Sequence, residues 1–517
     1  MAESGTRSII TSFKCRKADA PRNKALGKLQ SYSLIFNHKY AERAVLVRLT
    51  VVLDIGKTLS KLTLWTAAGG LVARRIRPNA RIDAGNYVAL DHDGIEAWVA
   101  ETLREFAGLG PISAIIPVAH GAAAAIVRDG RLACPVMDYE TPIPVDERLS
   151  YASERDAFAA TGSPAFPDGL NLGAQLHFLE RRHPGLLGPG AAILLWPQYW
   201  AWRLSGIMAS EATSLGCHSD LWCPVEGVPS ALASRRGWAE RLAPLRRAGD
   251  VLGQLTPEWA ARTGLPTTVQ IHCGLHDSNA ALEAARAFPE IAEQESTVLS
   301  TGTWFVAMRT PGADEAFNLS SLSEARDCLI NVDVHGRAIP SARFMGGREI
   351  ETLTGIDTRR IDIVPDQPHL VAAMPDILAT GTMVLPTFAA GFGPFPNARG
   401  RWVGMPADLA ERRAAVSLYA ALVADRSLDL IGSRGTLLIE GRFAKAHVLV
   451  RALASLRPDC AVYVGNADND VSFGALRLLH PVLPPPSHLQ RVAPFDQDIA
   501  SYRHVWQERI ADMEIAA

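Results

Sequence analysis

The segment VVLDIGKTLSKLTLW, residues 51–65, decides how the rest of the chain is read. Two apolar runs of strand character flank the six residues Gly56 to Lys61, which hold one glycine, two lysines and two hydroxyl side chains. A turn between half-buried strands needs a glycine for tight backbone geometry, and that alone would explain Gly56. It does not explain the neighbours. Exposed main-chain N–H groups, the hydroxyls of Thr58 and Ser60 and the ammonium groups of Lys57 and Lys61 together suit one anion, as in a phosphate-binding nest. Asp54, at the end of the first run, would repel a bare phosphate. A divalent cation between them accounts for it, because magnesium usually takes one or two carboxylates plus phosphate oxygens. Short Gly/Ser/Thr/Lys turns are common, so on this segment alone an ordinary hairpin stands level with a phosphate loop.

Residues 296–309, STVLSTGTWFVAMR, repeat the layout. An apolar strand enters the small turn Ser300-Thr301-Gly302-Thr303 and a second apolar strand leaves it. The likeness is of layout and not of identity. It predicts two homologous halves, each opening on a hairpin able to grip phosphate, with a nucleotide between two lobes, where ligand clefts are favoured.

The whole chain is compatible with this. Its 517 residues allow two to four domains. Charged residues at 21%, hydrophobic residues at 48% and a net charge of −2 describe a globular protein without the basic field that nucleic acid requires. Cys15, Cys134, Cys217, Cys223, Cys273, Cys328 and Cys460 are scattered with no CxxC, which suggests neither a zinc site nor a disulfide framework. A reducing cytoplasm is the simplest compartment. Apolar runs are short and broken, so no membrane span is expected. Residues 1–48 read differently: seven Lys and Arg between Arg7 and Lys28 face the single acid Asp19, and no period is sustained. They read as a disordered extension, with a compact domain beginning near Thr50.

Between and after the two turns the pattern is that of an α/β protein. ISAIIPVAH reads as a buried strand running into His120-Gly121, and GIEAWVAETLREFAGL as a helix. QYWAWRLSG reads as a helix packed by aromatics, and TTVQIHCGLHDSNAALEAARAF as a strand, a glycine-containing loop and a helix beginning near Asp277. After residue 310 a loop-rich region is expected, including the Gly- and Pro-rich surface loop PTFAAGFGPFPNARGRW that contains Gly391. RRAAVSLYAALVADRSLDLI and GRFAKAHVLVRALASL read as helices, with the strand TLLIE before the second.

Asp277 is the leading candidate for chemistry, since it lies after a buried strand and beside a helix N-terminus. Capping the helix is the competing role, because aspartate is a favoured N-cap. Gly274 and His276 leave space beside the carboxylate. His120 is either a satisfied core histidine or a partner for a sugar hydroxyl. Gln198 and Tyr199, within a Trp-rich stretch, are either core or donors to a ligand.

Taken in order, DIGKTLSK, AHGA, WPQYWAWRLSG, GLHDS and STGTW resemble the FGGY carbohydrate kinases of the actin/hexokinase/Hsp70 superfamily, over about residues 50 to 485. The resemblance implies two ribonuclease-H-like lobes with a deep interdomain cleft, residues 49–290 on the sugar side and 291–490 on the nucleotide side, followed by a tail at 491–517. It implies ATP and Mg2+. Asp54, Gly56, Lys57, Thr58, Ser60 and Lys61 would form one phosphate loop and Ser300, Thr301, Gly302 and Thr303 the other, with Gly391, Glu440 and Gly441 on the nucleotide side. His120, Gly121, Gln198, Tyr199 and His276 would meet the sugar. Asp277 would be the catalytic base and, with Asp54, would face the metal.

The chain departs from the family in two places. Many relatives carry a Gly-Gly pair at the adenine-contacting loop, where this chain has Glu440-Gly441-Arg442-Phe443. GNADNDVSFGALRLL keeps only Gly474-Ala475 of a GAA-type helix start. The GLHDSN form and the lysine-containing loop look most like kinases of deoxyketohexoses such as L-rhamnulose or L-fuculose. The expected partner is therefore a small sugar, with no nucleic acid and no membrane, and a homodimer is left open. The alternative is a sugar sensor or nucleotide switch of the same superfamily. A Rossmann dehydrogenase is disfavoured because no GxGxxG follows a first strand.

Overall fold

The opening hairpin forms as its sequence predicts. Strand Leu49–Ile55 pairs antiparallel with Leu59–Thr66, setting Leu49 opposite Thr66 and Ile55 opposite Ser60. The first strand is buried on both faces apart from Asp54, because it lies inside a sheet with Ile112–Ala119 parallel on its other side. Near-continuous apolar runs are what such a position requires. Across this sheet the order is Val251–Gln254, Gln270–His272, Ile112–Ala119, Leu49–Ile55, Leu59–Thr66 and Leu71–Pro78, with Leu275–His276 also paired to Ile112–Ala119. The computed structural model describes residues 48–292, 294–312, 315, 318–465 and 471–516. The expectation for the basic leader falls outside them.

A second sheet repeats the plan, in the order Cys328–Val332, Ala338–Phe344, Phe305–Thr310, Ser296–Thr301, Thr436–Gly441, Ala461–Val464 and Gln490–Arg491. Here too a three-stranded antiparallel run begins with a hairpin whose first strand pairs in parallel with a strand from much later in the chain, Ser296 standing opposite Thr436. The fold is accordingly a two-lobed α/β architecture of the actin-like kind. Each sheet carries its own large apolar core.

Helices cover the sheets where their patterns demand it. His92–Ala107 starts under Asp91, whose carboxylate accepts from the Gly94 N–H at 3.0 Å, and buries Ile95, Val99, Leu103 and Phe106 at helical spacing. Leu409–Leu430 is capped by Asp408 and buries a run of Ala, Leu and Val side chains on several faces, as befits a helix inside the second core. No described helix is long and apolar enough to cross a membrane.

Two expectations are corrected. Between residue 310 and the loop at 386 the chain holds the strands Cys328–Val332, Ala338–Phe344 and Met383–Leu385 and the helices Gly346–Thr354, Gln367–Ala372 and Met374–Thr380, and is not mainly loop. CLINV and AIPSARF are short, and the second contains Pro340, so their strand character comes from sheet neighbours more than from local preference. Pro340 is tolerated because the strand Phe305–Thr310 pairs only as far as Ser341. The segment GRFAKAHVLVRALASL is not one helix: Arg442–Lys445 forms a 3-10 turn before the helix His447–Leu456. The backbone cannot run straight from strand to helix, since Gly441 takes φ +83°.

Candidate active site

Asp277 owes its place to the strand before it. Leu275 and His276 pair in parallel with Val118 and Ala119, and the chain reaches that register by passing Gly274 against the neighbouring strand. At φ +81° a Cβ on Gly274 would lie 2.2 Å from Pro117 O, so only glycine fits. Asp277 is then the first residue of helix Asp277–Ala285. His276 holds the cap position and no side chain caps the helix. The carboxylate is therefore not spent on backbone amides, which decides against the capping role. With 30% of its side chain exposed, it lines a cleft of about 250 Å³ together with Ser278, Ser300 and Glu440.

Behind Asp277 lies a layer of buried polar groups. His276 Nε2 stands 3.2 Å from Asp277 Oδ1 and 3.3 Å from Cys217 Sγ, and its Nδ1 faces Asn279 Nδ2 at 3.3 Å. With the amide nitrogen donating to Nδ1, the imidazole proton sits on Nε2 and is directed at Oδ1. Burial pushes His276 and His120 down and the Cys217 thiol up, so all three are held neutral. Both histidines also feel the charge of Asp277. His120 Nδ1 donates to Gly121 O at 2.7 Å, while its buried Nε2 has no hydrogen-bond partner among the described residues. Gly121 is needed there, because a Cβ would come within 2.4 Å of Cys217 Sγ and 3.1 Å of His276 Nε2. His120, Gly121, His276 and Asp277 are thus brought together.

The two hairpin turns are built differently from each other. In the first, Asn79 acts as a clamp: its amide donates to Gly56 O and accepts from Ser60 Oγ, each at 2.7 Å. Ser60 is fully buried and cannot face an anion, which corrects its expected role. The two lysines do not converge on one point either. Lys61 pairs with Asp54 directly across the hairpin at 3.1 Å, whereas Lys57 pairs with buried Asp138 and lies 4.4 Å above the Tyr139 ring. Thr58 remains exposed at the tip.

In the second turn Ser300 is exposed on the cleft and Thr301 is buried, donating to Glu440 O at 2.5 Å and accepting from Phe443 N at 3.0 Å. That hydroxyl locks the turn to the Glu440-Gly441 loop. Gly441 lets the two backbones meet, since a Cβ there would lie 2.4 Å from Thr301 O. Gly391 sits on the exposed loop after Pro386 and does not line the cleft. That loop is not all surface, for Phe395 is buried and Gly393 N donates to Asp327 Oδ2 at 3.2 Å.

Gln198 and Tyr199 are not on the cleft. Tyr199 stacks on Trp196 at 5.1 Å inside the first core. Gln198 is fully buried and donates from Nε2 to Cys273 O at 3.3 Å and Gly274 O at 3.1 Å. It braces the loop that delivers Asp277, having been drawn inward by the aromatic helix on which it rides. Gln198→Ala should cost about 1–3 kcal/mol of stability, because two buried carbonyls lose their donor. Denaturant unfolding beside sugar KM checks this: a raised KM at unchanged stability would return Gln198 to the ligand.

Three residues at the site went unnoticed in the sequence. Cys217 and Tyr139 come from segments with no motif, and Asn79 lies past a strand end. Only DYE at 138–140, a tyrosine between two acids, carried any mark. Tyr139 meets the His120 ring edge-on at 5.7 Å. As to metal, the described residues contain no cluster of three or more His, Cys, Asp or Glu side chains. A magnesium ion held largely by phosphate oxygens asks for fewer, and Asp54 and Asp277 are of the right chemistry.

Residues 293–487 match the family described as carbohydrate kinase FGGY, C-terminal domain. The chain is 55% identical to a carbohydrate kinase from Novosphingobium aromaticivorans of known structure, covering 91% of this chain and 99% of that one with a TM-score of 0.86. It is 28% identical to L-fuculokinase of Escherichia coli K12 over 276 residues, which is 50% of this chain and little more than half, 56%, of that relative. A xylulose kinase from Rhodospirillum rubrum, at 18% identity and a TM-score of 0.72 over 90% of this chain and 98% of its own, shares the fold.

Proposed function

The chain belongs to the FGGY carbohydrate kinases, and we propose that it transfers the γ-phosphoryl group of ATP to a hydroxyl of a ketose or deoxyketose such as L-fuculose or L-rhamnulose, with Asp277 as general base. The observation that carries this reading is the uncapped Asp277 carboxylate facing Ser300 and Glu440 across one cleft. His276 Nε2 and Ser278 Oγ both approach Oδ1, which leaves Oδ2 for the sugar hydroxyl. As that hydroxyl attacks the γ-phosphorus, its proton passes to Oδ2, the new O–P bond forms and the bond to ADP breaks. The positive end of the Asp277 helix favours the negative charge gathered there. Positioning and electrostatics dominate such transfers, and the two hairpin turns with their locked backbones supply the positioning.

Magnesium, when bound near Asp54 and Asp277, would offset charge on the phosphate oxygens. Asp54 would then exchange part of its contact with Lys61, freeing that ammonium group for phosphate. L-Fuculose is favoured by the likeness to L-fuculokinase, and a cytoplasmic setting by the need for ATP.

The test is ADP release from magnesium-ATP across ketoses, aldoses, polyols and glycerol, with a control lacking sugar. One ketose is expected to raise turnover well above the control. ATP binding with no stimulation by any sugar would transfer the reading to a sensor or nucleotide switch.

A further inference from the structure

We propose that Arg343 is the residue through which this enzyme selects its sugar, donating from Nη2 to an acceptor oxygen other than the hydroxyl that is phosphorylated. The inference rests on the sugar-kinase reading above. Arg343 belongs to the strand Ala338–Phe344, outside every motif of the family resemblance. Its guanidinium lies between two rings, 3.8 Å from the centre of Phe166 and 4.7 Å from that of Trp304. Phe166 belongs to the first half of the chain. Trp304 directly follows the second phosphate turn. Arg343 therefore joins the wall of that turn to the sugar side.

The group is fixed before any ligand arrives. Nε donates to Asp327 Oδ1 at 2.8 Å, and Asp327 Oδ2 is itself held by Gly393 N. Two ring contacts and one ion pair hold the guanidinium, and hence restrict the direction of its remaining donors. Nη2 is buried and has no hydrogen-bond partner among the described residues. A buried donor left unmet is unfavourable, and a ligand oxygen relieves it.

Arg343 lies close to the buried groups behind the Asp277 carboxylate. The Arg343 charge reaches both Cys217 and His218, and the Phe166 ring meets the His218 ring edge-on at 5.3 Å. Cys217 Sγ is 3.3 Å from His276 Nε2, which is 3.2 Å from the Asp277 carboxylate. A layer of packed side chains thus runs from the base through His276 and Cys217, with the Arg343 charge near its far end. A sugar with its attacking hydroxyl at Asp277 Oδ2, on the open side of that layer, presents its other hydroxyl and carbonyl oxygens towards Nη2, and these are the acceptors a guanidinium N–H seeks.

The experiment compares wild type, Arg343→Gln and Arg343→Lys on the preferred ketose and on its analogues lacking one hydroxyl at a time. Wild type is expected to disfavour one analogue by at least about tenfold in kcat/KM, because a site built to bond an oxygen rejects a ligand without it. In both variants that ratio should fall towards one, with sugar KM raised about tenfold and ATP KM within about twofold of wild type. An unchanged ratio, or a loss carried by ATP KM, overturns the proposal.

Arg343→Lys retains the charge facing Asp327, so it guards against a variant that merely fails to fold. A selectivity ratio does not depend on how much of the protein is active. Sugar binding is followed in parallel by tryptophan fluorescence. If wild type binds sugar without turnover and both variants bind it about tenfold more weakly, the kinase reading fails and Arg343 stands. Turnover with unaltered preference leaves the kinase reading and removes Arg343, and a wild type that binds no sugar removes both.

Discussion

Asp277→Asn is expected to lower kcat for the preferred sugar by at least about a hundredfold, the usual worth of a positioned general base. The substitution is nearly isosteric. Asn keeps an oxygen for the His276 Nε2–H and Ser278 Oγ–H, but its amide cannot take the proton of an attacking hydroxyl. Sugar KM should stay within a few-fold of wild type, since a base that acts as the O–H bond breaks contributes chiefly in the transition state. Stability should also be nearly unchanged. Asp277 makes no capping bond, so the loss is confined to a favourable charge at a helix N-terminus, typically about 0.3–1 kcal/mol. Steady-state kinetics with a thermal unfolding control tests all three. A variant with wild-type kcat would remove the base from Asp277, and one with intact kcat but a large fall in stability would make the residue a cap after all.

How much of this was legible in the sequence depends on the range of the interaction involved. The hairpins are local objects, and VVLDIGKTLSKLTLW and STVLSTGTWFVAMR announce them by strand pattern and turn chemistry alone. Asp277 was legible as a candidate for the same reason, being the residue between a strand and a helix. What the turns do with their side chains was not, because the partners lie far along the chain. Ser60 turns inward to Asn79 and Lys57 turns towards Asp138, 81 residues away. Gln198 looked like a ligand contact because its polarity was visible and its burial was not. Its partners, Cys273 O and Gly274 O, are 75 and 76 residues distant. Arg343 gave no sign at all, since an arginine in a short strand is unremarkable until two rings from different parts of the chain close on it.

Gly474→Ala should destabilise the protein and slow catalysis together, although local preference argues the reverse. Gly474 lies within the helix Val471–Leu479, where exchanging Gly for Ala ordinarily gains about 1 kcal/mol. Here the new Cβ would stand 1.8 Å from Ala280 O and 2.8 Å from Ala284 N. These are backbone atoms of the Asp277 helix and cannot rotate away, so the two helices must separate. Overpacking of this kind typically costs about 1–3 kcal/mol, more than propensity returns. The movement also reaches the reacting group, because Ala280 is one turn from Asp277 on the same rigid element. A displacement of about 1 Å at a base is enough to cost about a hundredfold in rate, so kcat should fall by about ten- to a hundredfold. Gly130→Ala is the control: it also loses a glycine, at φ +71°, but its Cβ would meet nothing within 4 Å and it lies in the exposed turn between the strands Ala124–Arg128 and Arg131–Leu132. Its kcat should stay at the wild-type value. If Gly474→Ala raises the melting temperature, helix propensity has won and the close approach of the two helices does not hold Asp277. If it lowers the melting temperature while kcat is retained, the contact stabilises the fold without positioning the base. A joint fall ties the close approach of the two helices to the placing of Asp277.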